Sequence, residues 1–241
     1  MLRTALMLVA GWQALVVMLA PPRYILPAPL DVLAAFRRQA GFLLDHALVT
    51  LVEIAAGFAA GALLGVATAL AVAALPGFGR LVWPVVLVLQ AFPVFVLAPL
   101  LVVWFGFGLA SKVVMTALII FFPVASAFAD GLRRTDPELL DATAMTPATR
   151  LQALVHVRVP LALPSLVTGL RVAAPLAPLG AVVGEWVGAS AGLGFVMVQA
   201  NARMQTDTVF AAMVVLAVLT LLLRRGVDAL APRLAPWARE G

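Results

Sequence analysis

Residues 47–75 read ALVTLVEIAAGFAAGALLGVATALAVAAL, an apolar run whose one charge is Glu53. A helix needs about 20 apolar residues to cross the ~30 Å hydrocarbon core of a bilayer. This run is longer than that and shows none of the alternation of a membrane barrel strand. It predicts a transmembrane helix. Outward from it lie comparable stretches at 4–20, 81–105, 112–129, 159–187 and 208–230. The chain therefore reads as an all-α membrane protein of about six transmembrane helices.

Composition agrees. Of the 241 residues, 64% are hydrophobic and 11% charged, and the mean hydropathy is +1.10. Soluble domains carry about a quarter charged residues, so this chain cannot cover itself with a solvated surface. It has no cysteine, which excludes disulfides, thiolate metal sites and cysteine nucleophiles. The first stretch is read as a span rather than a cleaved signal, because Met18-Leu19-Ala20-Pro21-Pro22 is a poor cut site.

The net charge of +5 comes from arginines in short loops between apolar runs, so loop charge explains it better than nucleic acid, and no nucleic-acid partner is expected. Lys and Arg favour the cytoplasmic side. An inside N-terminus places Arg3, Arg80, Arg133, Arg134, Arg150, Arg158, Arg224, Arg225, Arg233 and Arg239 there. Arg23, Arg37, Arg38, Lys112 and Arg203 then fall outside, and Arg171 lies within a span. Both termini are thus expected in the cytoplasm. The chain divides into 1–46 (first span and an external segment), 47–230 (the main membrane domain) and a cytoplasmic tail, 231–241. Within the external segment, 31–44 is expected to form an amphipathic helix lying on the membrane.

Gly57, Gly61 and Gly65 recur every four residues and form a groove on one helix face. Packing within the subunit is the first reading, a dimer seam the second. Prolines punctuate the spans at Pro84, Pro93, Pro99, Pro123, Pro164, Pro175 and Pro178. They suit helices that bend around a path, or static kinks.

The segment 131–158 is the longest polar stretch on the expected cytoplasmic side, between spans four and five. Asp136 suits an N-cap and Pro137 the first helical turn. Thr146-Pro147 repeats the device, predicting a second helix from Pro147 to about Val157. Two short helices meeting at a turn make a knob of small residues that a partner could grip.

Here the sequence resembles the permeases of bacterial ABC importers. Their cytoplasmic loop reads Glu-Ala-Ala, three residues, Gly, nine residues, Ile, one residue, Leu-Pro. At that spacing stand Asp141-Ala142-Thr143, Pro147, Val157 and Val159-Pro160. The largest departure is Pro147, since Gly allows a positive-φ turn that Pro cannot adopt. Further runs resemble the nitrate/sulfonate/taurine-type branch over roughly residues 26–228. These are Leu26-Pro27-Ala28-Pro29, Gln90-Ala91-Phe92-Pro93, Trp104-Phe105-Gly106-Phe107-Gly108, Leu163-Pro164 with Thr168-Gly169-Leu170-Arg171, and Gly192-Leu193-Gly194-Phe195. Gly184-Glu185-Trp186-Val187 and Gln199-Ala200-Asn201 are similar to permeases for hydroxymethylpyrimidine-type thiamine precursors.

The resemblance implies a coupling loop carried by Asp136, Asp141, Ala142, Thr143, Pro147, Val157 and Pro160. It implies ABC ATPase partners, an extracytoplasmic solute-binding protein, a second permease subunit in a homodimer, and a bacterial inner-membrane location. The chain itself is expected to bind no cofactor, ATP and Mg being used by the ATPase. It lacks a Gly-x-x-x-x-Gly-Lys-Ser/Thr loop and a nucleophile–base constellation, so it is not read as an enzyme. His46 and His156 are too isolated for a metal site.

Intramembrane charges usually face the bundle or a cavity. Glu185 is therefore a candidate for the translocation path or a structural network, and Arg171 for packing near an inner helix end. Gln90, Phe92, Phe95 and Trp186 join Glu185 as path candidates. Asn201, Gln205 and Asp207 are candidates for binding-protein docking. The rival reading is an ion-gradient-driven secondary transporter, for which only Glu53 and Glu185 stand near mid-span.

Overall fold

In lipid every backbone N–H and C=O must find an internal partner, and a helix satisfies them within one segment. The computed structural model, which describes residues 2–91 and 93–238, is accordingly helical with no strand among those residues. The elements are α1 (Leu2–Leu19), α2 (Pro29–Arg38), α3 (Ala40–Ala74), α4 (Pro76–Ala91), a 3-10 turn (Val94–Leu97), α5 (Ala98–Phe105) and α6 (Leu109–Arg133). Then come α7 (Pro137–Ala144), α8 (Arg150–Ala153), a π turn (Leu154–Arg158), α9 (Val159–Ala173), a 3-10 turn (Ala174–Leu176), α10 (Ala177–Trp186), α11 (Leu193–Ala202) and α12 (Thr206–Leu234).

Four uninterrupted helical runs are long and apolar enough to cross a membrane: Ala40–Ala74, Leu109–Arg133, Arg150–Trp186 and Thr206–Leu234. Two of the stretches read as spans take other forms. The first is the shorter apolar helix α1. The third is split into α4 and α5 by Pro93 and the 3-10 turn, because Pro cannot donate to the helical ladder and disfavours helix in the residue before it. Gly106, at φ 78°, closes α5.

The external segment differs from expectation. Its amphipathic helix stops at Arg38, the chain bends at Gln39 (φ −119°, ψ 22°), and α3 starts at Ala40. Tertiary bonds hold this bend. Arg38 Nη2 meets Asp207 Oδ2 at 3.0 Å, and Gln39 Nε2 donates to Thr208 Oγ1 at 3.1 Å. Thr206 Oγ1 donates to the Tyr24 carbonyl at 2.7 Å. The α1–α2 connection and the end of α2 are thereby tied to the start of α12.

α6 is the central post, with α3 along one side and α9 and α10 along others. Small residues permit this. Gly57 faces Thr116, Gly61 faces Ile120, and Gly65 faces Val124 and Ala125. From α10, Gly180 lies on Thr116 and Gly184 on Lys112, and Gly169 of α9 meets Ala127. The glycine groove thus packs within the subunit. Met115, Ile120, Val124 and Phe128 of α6 are almost wholly buried there. Away from the groove α3 presents Leu48, Leu51 and Leu63 outward, the pattern of a lipid-facing surface. The knob projects from one end of the bundle, where α3, α6 and α12 finish.

Candidate functional site

At the knob end, Asp136 Oδ1 accepts from the Glu138 N–H at 2.9 Å, with Pro137 in the first turn of α7. The chain leaves α7 at Met145, whose side chain is 89% exposed. The second helix does not begin at Pro147. Thr146 Oγ1 donates to the Thr143 carbonyl at 2.7 Å and accepts from the Ala148 N–H at 3.3 Å. These local bonds close a turn that contains Pro147. The N-cap is Thr149, in a reciprocal capping box with Gln152 at 2.8 and 3.3 Å. A capping box satisfies two orphan donors, whereas Thr146-Pro147 would satisfy one, so the helix starts later.

α8 passes at once into the π turn. Pro160 follows, and its ring excludes the ordinary α-helical bond to the His156 carbonyl, which accounts for a wider turn there. Arg158 gives two bonds, from Nε and Nη2, to the Leu132 carbonyl at 3.2 and 2.9 Å. That carbonyl lies in the last turn of α6, where no intrahelical partner exists. The knob's exit is thus fastened to the central post. Between its halves is a hollow of about 450 Å³ lined by Thr143, Thr146, Pro147, Ala148, Gln152, Ala153, His156 and Val157. Three expected coupling residues, Thr143, Pro147 and Val157, meet around it. Asp136, Asp141 and Ala142 lie along α7, and Pro160 sits in the first turn of α9.

Deeper in the bundle is a polar cluster that the sequence reading assembled only in part. Thr50, Glu53, Lys112 and Glu185 are each 3% exposed or less. Thr50 Oγ1 donates to Glu185 Oε1 at 2.6 Å. α10 ends at Trp186, beside the expected end of its span at Val187, and a separate short helix, α11, starts at Leu193. The first N–H groups at the start of α11 have no helical partners, and Gly192 has no side chain to cap them. Other elements do so instead. The Gly192 N–H donates to His46 Nδ1 at 2.9 Å, the Leu193 N–H donates to Thr50 Oγ1 at 2.8 Å, and the Gly194 N–H donates to Glu185 Oε2.

Lys112, expected on the outer side, stands in the first turn of α6 at the end remote from the knob, and it is buried there, with its Nζ donating to the Phe107 carbonyl. Its burial was not expected, because a lysine at a helix start usually marks a solvated interface. A usable signal was present: His46, Thr50 and Glu53 fall on the same face of α3 as Gly57 and Gly61.

Glu185 faces inward, while its neighbour Trp186 is 55% exposed. Trp186 borders a hollow of about 560 Å³ with Leu179, Met197, Val198, Asn201 and Met213. Phe95 is exposed on the 3-10 turn. Phe92 lies outside the described residues, as does the side chain of Gln90. At the end away from the knob, Asn201 and Gln205 are exposed, whereas Asp207 is engaged by Arg38. Arg171 is held by Asp228 at 2.8 Å, with Arg224 bonded to the same carboxylate and to the Arg171 carbonyl. It is thus a packing group joining α9 to α12.

Gly192 has φ 108°, and a Cβ there would run into the Glu185 carboxylate. Gly192→Ala is expected to cost about 1–3 kcal/mol, read as a lowered melting temperature in detergent. Gly41→Ala, at a helical position with nothing within 4 Å, is the control and should be neutral or slightly stabilising.

Residues 61–236 match the family described as binding-protein-dependent transport system inner membrane component. The chain belongs to this family. A probable ABC transporter permease protein of Haemophilus influenzae is 45% identical over 90% of this chain and 89% of its own length. The formylaminopyrimidine transport permease ThiX of Halalkalibacterium halodurans is 35% identical over 98% and 94%. The taurine transport system permease TauC of Escherichia coli is 32% identical over 98% and 88%. Among solved structures, the inward-facing MetNI methionine ABC transporter superposes with a TM-score of 0.64 over 80% of this chain and 94% of that one, at 22% identity. It shares the fold. The chain is therefore a multi-pass membrane permease of the nitrate/sulfonate/taurine-type branch, a transport component rather than a catalyst.

Proposed function

We propose that this permease serves an ATP-driven importer for a small nitrogen heteroaromatic of the pyrimidine class. Two copies form the path, with 47–230 as the working membrane domain of each and 231–241 as a tail. An extracytoplasmic binding protein delivers ligand to the end carrying Asn201 and Gln205. ATPase subunits grip the 136–157 knob on the other side. ATP and Mg act in those subunits, and this permease shifts between conformations without chemistry of its own.

The observation that carries the transport reading is the knob: two capped helices around an open hollow, fastened by Arg158 to the last turn of α6. A force applied there reaches the central post directly. Orientation is supported by Arg80, Arg133, Arg134, Arg150, Arg158, Arg224, Arg225 and Arg233, which share the knob end and mark it as cytoplasmic. Both termini then lie on that side. The ligand class is supported by the similarity to ThiX.

The test reconstitutes the permease with its ATPase and binding protein in nanodiscs and measures ATP hydrolysis against hydroxymethylpyrimidine, taurine, alkylsulfonates and nitrate. Stimulation by the pyrimidine alone is the expected result. Stimulation by a sulfonate or nitrate would overturn the ligand class and keep the importer. Uptake driven only by an ion gradient, with no ATPase bound, would overturn both.

A further inference from the structure

The start of α11 is held by side chains of two other helices. The N–H groups of Gly192, Leu193 and Gly194 have no partner within their own helix. His46 Nδ1 accepts from Gly192 at 2.9 Å, Thr50 Oγ1 accepts from Leu193 at 2.8 Å, and Glu185 Oε2 accepts from Gly194. Thr50 in turn donates to Glu185 Oε1 at 2.6 Å. These caps lie at the end of the bundle remote from the knob, where α3 begins and α10 finishes. Thr50 and Glu185 are buried, whereas His46 is half-buried near the start of α3. Its ring stands edge-on to Phe42, 4.4 Å between centroids, and tilts against Phe195 of α11 at 5.9 Å.

The bond from Gly192 fixes the state of that ring. A backbone N–H can only donate, so Nδ1 is the acceptor and carries no proton. The ring is then neutral, with its proton on Nε2. An imidazolium donates at both nitrogens and cannot take this bond. Several charged groups stand around it. On α3, Asp45 precedes the ring and is exposed, and Glu53 is buried two turns further on. α10 brings Glu185, and α6 brings Lys112, whose Nζ is on the Phe107 carbonyl. At the same end Arg38 of α2 and Asp207 of α12 are paired with each other. α11 carries no titratable residue from Leu193 to Ala202. Among the described residues none of these groups hydrogen-bonds to the ring, whose one such partner is the Gly192 N–H.

We propose that His46 is a pH-sensitive latch on α11: the neutral ring fastens the helix start to α3, and the protonated ring releases it. His46 is a positioning residue that acts through the backbone of Gly192. Protonation turns its acceptor into a donor facing another donor, at a helix start whose dipole is already partly positive. The fastening is therefore present while the ring is neutral and is lost as pH falls. Thr50 and Glu185 keep their bonds, so release loosens the first turn of α11 and leaves the bundle folded. In the orientation proposed above this end faces outward, and the latch reads the acidity of the side from which ligand arrives. The latch itself does not depend on that reading.

Hydrogen exchange of the purified permease in lipid nanodiscs tests this. It needs neither ATPase nor ligand, so its failure and that of the importer reading are separate results. Histidine is the side chain that changes charge between pH 5 and 8, and each exchange rate is divided by the intrinsic rate at its pH. From pH 8 to pH 5 the peptide over residues 188–196 should lose protection by roughly five- to a hundredfold, the range for a donor left without its acceptor. The middle of α6 should keep its protection in the same samples. His46→Asn offers an amide oxygen near the Nδ1 position and does not titrate, so protection should stay high at both pH values. His46→Phe keeps a ring beside Phe42 and Phe195 without an acceptor, so protection should be low at both. If one variant does not fold, the other carries the comparison. A parent profile as flat as that of α6, or a pH dependence that persists in either variant, would overturn the proposal.

Discussion

An Ala142→Arg permease is expected to fold and insert normally, and yet to give no ligand-stimulated ATP hydrolysis. Ala142 lies on α7 with its side chain exposed, and α7 buries no residue of its own. A surface substitution of this kind moves stability by about 0.5 kcal/mol or less. In the proposed complex, however, the small residues of α7 face the ATPase. An arginine there adds bulk and a charge that must be desolvated without a partner, at about 2–5 kcal/mol. That corresponds to a loss in affinity of roughly thirty- to several-thousandfold. The measurement pairs a melting curve of the permease alone with ATPase activity and pull-down of the complex. A stable permease that still recruits and stimulates the ATPase would remove α7 from the interface. A permease that no longer folds would show that α7 packs in a way its exposure does not suggest.

The second large effect is expected at Gly61. Its Cβ position lies 2.5 Å from Ile120 Cγ1 and 2.7 Å from the Ala117 carbonyl oxygen. One of those neighbours is backbone and cannot rotate away. Gly61→Leu must therefore wedge α3 off α6, and overpacking of a tight interface costs about 1–3 kcal/mol or more. The expected readout is a sharp fall in detergent-stable, monodisperse protein. Gly61→Ala should fall between the two. A Gly61→Leu protein as stable as the parent would mean that the α3–α6 seam is looser than its glycines imply. The groove would then be free to serve as the dimer seam that the spacing alone also allows.

The sequence displayed its helices better than their breaks. Charge-poor runs of the right length became α1, α3, α4 with α5, α6, α9 with α10, and α12, because hydropathy reports the solvent a segment must face. The end of α10 was legible, since the span was read to Val187 and Gly188 follows, whereas the short helix α11 beyond it was not. What stabilises it is a set of side chains remote in sequence, His46 and Thr50, that no local pattern reveals. The burial of Lys112 was hidden for the same reason. Its neighbours in the chain mark an interface, while its neighbours in space include Gly184 and the Phe107 carbonyl. In the knob, Asp136 and Pro137 announced their helix because capping is local. The second start was displaced by three residues because two capping options competed and the reciprocal one prevailed.

The wide turn at Leu154–Arg158 has a mechanical corollary. A π turn holds one more residue than an α turn in the same stretch of axis, so it stores helical phase. Pulling it straight into α geometry would release about 100° of rotation, the share of one residue in a 3.6-residue turn. A tug on α8 along its axis would then leave α9 as torque. In the proposed cycle the stretch would act as a screw thread between the knob and the span it leads into.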